Sequence, residues 1–320
     1  MQKKLIALAV AGLMAAPVFA QSSVTVYGRM DIGVMSKDDA NGKSVLRVDN
    51  SQWTTSRLGF RGTEDLGNGL KAIFQIESRL QNDGDANLNT NRDTFVGLAG
   101  GFGEFRAGRN STPLNNWLGN YDHSGVANAF RATNVNLRGS LETRVSNSLV
   151  YAAPKFGGLE VAALYAPDET AGVKNDVYGI GLQYIAGPIK AMYTFHAVND
   201  GVDNHAFGLA YDAGVVTVMG SYFYNKFDGV GSLNGTNGTD KEKAWGLGLA
   251  APVGGAGTFS VGYTAQTNVN GISDNDIDVW AVTYKHNLSK RTFAYTGYQR
   301  QDPDNGNSID TFGVGIAHMF

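Results

Sequence analysis

Catalysis needs nucleophiles, acids and bases at workable spacing, and such sets are scarce in this chain of 320 residues. It has no cysteine, which removes disulfides, thiolate metal sites and a thiol nucleophile. The five histidines, at positions 123, 196, 205, 286 and 318, include no close pair at metal-ligand spacing. No G-x-S-x-G elbow marks a serine hydrolase. Asp83-Gly-Asp-Ala-Asn87 resembles the opening of a calcium loop, yet it lacks the glycine at the sixth position and the closing glutamate and reads as a solvated loop. We therefore expect no enzyme, no cofactor and no metal site.

What the chain does carry is charge at every second position. In Val24 to Val34 the even positions are Val24, Val26, Gly28, Met30, Ile32 and Val34, while the odd ones include Thr25, Tyr27, Arg29 and Asp31. Leu58 and Phe60 likewise oppose Arg57 and Arg61. From Leu70 to Gln81, Leu70, Ala72, Phe74, Ile76 and Leu80 share one face, and Lys71, Gln75, Glu77, Arg79 and Gln81 share the other. A helix would scatter these charges around its circumference, so the period-two spacing predicts strands. One face can lie in lipid while the other carries charge into water, as in a transmembrane barrel.

Strands of that kind presuppose export. Lys3 and Lys4, the apolar run Leu5 to Met14 and the small-residue end Val18-Phe19-Ala20 have the form of a secretory signal, too short to span a bilayer. We expect residues 1–20 to be a signal peptide cleaved between Ala20 and Gln21, leaving one domain at 21–320. Without Lys3 and Lys4, 24 of the 26 basic residues remain against 29 acidic ones, a net charge of −5 that argues against a nucleic-acid partner. Glycine makes up 42 residues with no G-X-Y period, and aromatics reach 11%, which excludes collagen and disorder and suits a long twisted sheet.

Turn chemistry divides the chain into alternating short and long connections. Short turns fall near 63–69, 100–103, 154–158, 186–188, 212–214, 252–257 and 286–290, and polar loops near 36–51, 81–91, 110–143, 167–175, 198–204, 226–241, 267–276 and 301–308. Seven turns and eight loops join sixteen strands, an even number with both termini on the short-turn side. The longest loop, 110–143, carries Trp117, Tyr121 and Phe130 and is too aromatic to lie loose in water. Phe312, Val314, Ile316, His318 and Phe320 share a face of the last strand, which ends in an aromatic carboxylate and reads as an outer-membrane assembly signal.

Several segments carry a family resemblance. They are Ser22 to Gly28, Ser56-Arg-Leu-Gly-Phe-Arg-Gly-Thr-Glu-Asp-Leu-Gly67, Val96 to Gly103, Asn147-Ser-Leu-Val-Tyr-Ala-Ala-Pro154, Ala251 to Gly255, His286 to Arg291 and Gly315 to Phe320. In this order they span the mature chain, which resembles the trimeric Gram-negative porins of the β-proteobacterial type. The resemblance implies an all-β fold: a transmembrane 16-stranded antiparallel β-barrel in the cell outer membrane, with the long third loop folded into the lumen. It implies a homotrimer embedded in outer-membrane lipid, built by the outer-membrane assembly machinery and passing small ions and solutes by passive diffusion. It places basic residues at the pore constriction at Arg57, Arg92 and Arg144, facing acidic groups near the inserted loop; the acidic candidates are Asp122 and Glu142 in the loop and Glu77 on the wall, where strand parity supports it.

Arg57 and Arg144 agree with their own strand parity. Arg92 does not, since strict alternation groups it with Val96 and Leu98, so a bulge or a rim position is required there. A positive constriction would favour anions despite the net negative charge. A substrate-specific channel and a plugged adhesin or structural barrel are the competing readings.

Overall fold

The computed structural model describes residues 23–39, 41–81, 83–84, 88–89, 92–122, 127–131, 143–170, 175–199, 201–227 and 241–320. Eighteen strand segments make one antiparallel sheet. They are β1 Ser23–Asp38, β2 Ser44–Asn50, β3 Arg57–Gly67, β4 Leu70–Leu80, β5 Leu88–Asn89, β6 Thr94–Gly100, β7 Gly103–Ser111, β8 Arg144–Ala152 and β9 Leu159–Ala166. There follow β10 Val177–Ala186, β11 Ile189–Val198, β12 Val202–Asp212, β13 Thr217–Phe227, β14 Lys241–Val253, β15 Gly257–Thr267, β16 Ile277–Asn287, β17 Thr292–Pro303 and β18 Ile309–Met319.

Two pairs of these segments are halves of one barrel strand. The upper part of β1 pairs with β2 and its lower part with β3, the chain leaving the wall between them at 51–56. In the same way β4 pairs with β5 near Leu80 and with β6 from Ile76 downward. Eighteen segments therefore fill sixteen positions, and β1 pairs with β18 from Arg29↔Met319 to Lys37↔Thr311 to close the ring. Closure matters because it leaves no row of unpaired backbone donors and acceptors at a sheet edge.

Alternation along each strand sorts side chains to two faces. Val24, Val26, Met30 and Val34 are exposed on the outside of β1, whereas Asp31 between them is fully buried. Rings on the outer face meet across strands, Tyr165 with Tyr178 at 5.3 Å and Tyr263 with Trp280 at 4.7 Å between centroids. Both pairs lie near the long-loop end, where an aromatic girdle belongs in a membrane barrel. Two connections are shorter than the sequence suggests. Most of 36–51 is strand, with the turn confined to 39–43, and 198–204 contracts to 199–201 between β11 and β12.

The described residues between β7 and β8 pack inward. Thr112 caps the short helix α1 (Pro113–Trp117), accepting the Asn115 N–H at 3.2 Å, and proline opens the first turn, where no N–H is needed. Leu114, Trp117, Leu118 and Tyr121 then bury against Met192, Met219 and Phe223 of the far wall. Glycines make room for the rings. A Cβ at Gly181 would stand 2.3 Å from the Trp117 ring, one at Gly208 2.6 Å from Tyr121, and one at Gly297 2.5 Å from Phe130. All three glycines lie on the inward parity of their strands, so the described part of this loop is seated on the inner wall.

Candidate functional site

A row of like charges crosses the wall below α1. In the strand register Arg29 of β1 lies directly opposite Arg57 of β3, and Arg57 directly opposite Arg79 of β4. Like charges in that relation destabilise a sheet by roughly 0.2–1 kcal/mol per pair, so folding alone does not favour them. Inward-facing acceptors hold the row in place. Arg29 Nη1 donates to Thr54 Oγ1 at 2.6 Å, Arg57 Nη2 donates to the same oxygen at 3.3 Å, and Arg57 Nε donates to the Thr55 carbonyl at 3.0 Å.

Arg92 joins this row through a break in the strand. It sits between β5 and β6, off the ladder, so alternation places no constraint on it, and its Nε donates to Glu77 Oε1. Glu77 also lies 3.8 Å from Arg57 and accepts the Tyr27 hydroxyl at 3.0 Å. Glu77 thus stands on the wall itself, buried between two arginines. Arg144 pairs with Asp93 at 3.3 Å, and Ser111 Oγ donates to the same carboxylate at 2.7 Å. On the loop side Asp122 lies 3.9 Å from Arg131. Burial holds the Arg131 guanidinium below its ordinary pKa, with Asp122 opposing, and pushes the Tyr121 phenol up to about 12. Glu142, Ala20 and Gln21 lie outside the described residues.

These groups enclose one polar cavity of about 690 Å³. Arg57, Arg92, Arg144, Glu77 and Asp122 all line it. Sequence reasoning did not select Arg29, Arg61, Arg79, Arg109, Arg131 and Asp93, which line it as well. Arg29, Arg61 and Arg79 share the charged parity of their strands and were visible by that signal. Arg109 was hidden: strict alternation groups it with outward Phe105, but the register slips between Gly108 and Asn110, where Gly108 takes φ +140. That bulge, at a backbone angle L side chains rarely adopt, turns Arg109 inward. Among the described residues the cavity has eight arginines and three carboxylates.

At the chain terminus Phe320 exchanges both backbone hydrogen bonds with Gly28, 3.0 Å and 3.1 Å, extending the β18–β1 seam. Its ring lies over Gly28, where a Cβ would be 2.3 Å away.

A closed barrel with an apolar, aromatic-belted exterior and a charged lumen defines an outer-membrane channel protein. The Gram-negative porin family matches residues 7–306, and the chain belongs to it. The chain is 36% identical to outer membrane porin protein 32 of Delftia acidovorans over 92% of its own length and 88% of that protein's. It is 30% identical to a major outer membrane protein P.IB of Neisseria meningitidis serogroup B over the full length of both. An anion-selective porin from Comamonas acidovorans superposes with a TM-score of 0.82 at 30% identity, covering 94% of this chain and all of that one. The protein is accordingly an outer-membrane porin of the passive-diffusion kind.

Proposed function

We propose that the channel prefers anions, and that the arginines around the cavity produce this preference. The carrying observation is the row Arg29, Arg57 and Arg79, joined by Arg92, Arg109 and Arg144 around one lumen cavity. Local charge decides because groups beyond a Debye length of ~8 Å at physiological salt are largely screened, while low-dielectric walls strengthen those at the narrowing. The similar Comamonas protein, described as anion-selective, supports the same sign.

On this reading Arg57, Arg92 and Arg144 form the basic side of the constriction. Glu77 tempers that side, and Asp122, with Glu142, supplies the acidic groups of the loop. Transport is passive and the protein catalyses no reaction. The functional unit is a homotrimer, processed between Ala20 and Gln21 and recognised by the assembly machinery through Phe320.

Planar-bilayer recording in a salt gradient tests the proposal. The native channel should give large ohmic steps and an anion-side reversal potential. Arg57→Ser should shift it towards cations, and combined Arg57→Ser, Arg92→Ser and Arg144→Ser further still. An unchanged reversal potential in the triple variant refutes the assignment. Block by one solute class would indicate a substrate-specific channel, and negligible current a plugged barrel.

A further inference from the structure

The six residues 51–56 stand opposite only Met30 and Asp31 of β1, so the chain folds inward there instead of continuing the strand. All but Thr55 are buried. One carboxylate organises the excursion. Asp31 Oδ2 accepts the N–H groups of Trp53 at 3.0 Å and Thr54 at 2.7 Å, and Oδ1 accepts the Tyr295 hydroxyl at 2.5 Å. The backbone of Asp31 adds bonds to Ser51 and Ser56. Its side chain is fully buried and takes no part in lining the lumen cavity.

The excursion serves both sides of the channel. Towards the wall, Thr54 and Thr55 supply the oxygens that hold Arg29 and Arg57. Towards the loop, the Trp53 carbonyl accepts Asn128 N–H at 3.0 Å and the Gln52 carbonyl accepts Ala129 N–H at 2.8 Å. Trp53 also packs on Tyr295 at 5.3 Å, in the cluster that buries Phe130.

We propose that Asp31 is a positioning residue for permeation: by fixing segment 51–56 it sets the distance between the arginine row and the loop tip, and with it the bore and the anion preference. This rests on the anion reading above but makes a prediction of opposite sign to simple electrostatics. If Asp31 acted through its charge, removing that charge would strengthen anion preference. Acting through position, its removal frees the arginines and the loop tip, and anion preference falls while the channel widens.

Single-channel recording of Asp31→Ala should give a larger, noisier open current and a reversal potential shifted towards cations. Asp31→Asn loses the charge but keeps an acceptor for the backbone N–H groups, and should stay close to native in both readouts. Tyr295→Phe removes one hydroxyl and should shift both in the Asp31→Ala direction by less. If Asp31→Ala yields no heat-modifiable barrel, Tyr295→Phe and Asp31→Asn decide.

A shift towards anions, unchanged current and noise in both Asp31→Ala and Tyr295→Phe, or an Asp31→Asn channel that matches Asp31→Ala would overturn the proposal. A native channel without anion preference would overturn the arginine reading instead. In that case bore and noise still test the positioning role of Asp31.

Discussion

Gly208→Ala should loosen the loop segment seated on the inner wall without harming the barrel. The added methyl would lie 2.6, 2.8 and 3.0 Å from Cγ, Cδ1 and Cδ2 of Tyr121. Carbon pairs settle at roughly 3.5–4.0 Å, so the ring must retreat by about 1 Å. It has little room, being 2% exposed with the equally buried Leu118 beside it and its hydroxyl donating to Gln183 at 3.3 Å. Overpacking of this kind costs ~1–3 kcal/mol, which raises the opening equilibrium of the loop about 5- to 150-fold.

Hydrogen exchange on the peptide covering 113–122, read by mass spectrometry in detergent, measures that equilibrium. Its amides include Asn116, bonded to Thr112 at 3.1 Å, and Tyr121, bonded to Leu118 at 2.9 Å. In a Tyr121→Ala background the ring is gone and the methyl has space. There exchange should already be fast, and Gly208→Ala should add almost nothing. Equal increments in both backgrounds, or none in the native one, would refute the seating of Tyr121 on Gly208. Exchange in the barrel strands should not change in either case.

Deleting Phe320 removes the two backbone bonds to Gly28 and the ring above it. Protease-sensitive chain should then accumulate in the periplasm, and the oligomer band of unheated electrophoresis should weaken. A normal yield of that band contradicts the assembly role. Intact mass of the outer-membrane form should correspond to a chain starting at Gln21, and a start beyond Val24 would remove the first strand from the ring.

The fold was legible because a barrel between lipid and water forces one chemistry onto each face of every strand. Val24, Val26 and Met30 against Arg29 and Asp31 display that rule directly. It failed where the backbone leaves the regular ladder. Arg92 sits in a strand break and Arg109 beyond a bulge, so counting by twos misplaces both. Polar strand ends misled in the other direction. Asn204 belongs to β12, and Arg47 and Asp49 to β2, yet their composition is that of loops because strand ends carrying inward-facing side chains are as polar as turns. Nothing in Ser51 to Ser56 signalled an inward fold. Its cause is a carboxylate twenty residues earlier and a tyrosine near the far end of the chain, a long-range contact no local pattern contains.

The site also explains how a chain with net charge −3 tolerates a dense basic cluster. Adjacent arginines repel, and the sheet register offers them no relief. Full neutralisation by carboxylates would stabilise the wall but erase its field. Three carboxylates among eight arginines is an intermediate solution. Glu77 binds Arg92 and approaches Arg57, Asp93 pairs with Arg144, and Asp122 with Arg131. Neutral acceptors contribute as well: Thr54 Oγ1 and the Thr55 carbonyl orient Arg29 and Arg57 without themselves adding negative charge. A neutral acceptor fixes a guanidinium without cancelling it. On the proposed reading, the placement of those neutral oxygens by segment 51–56, as much as the number of arginines, sets how much positive field reaches a passing ion.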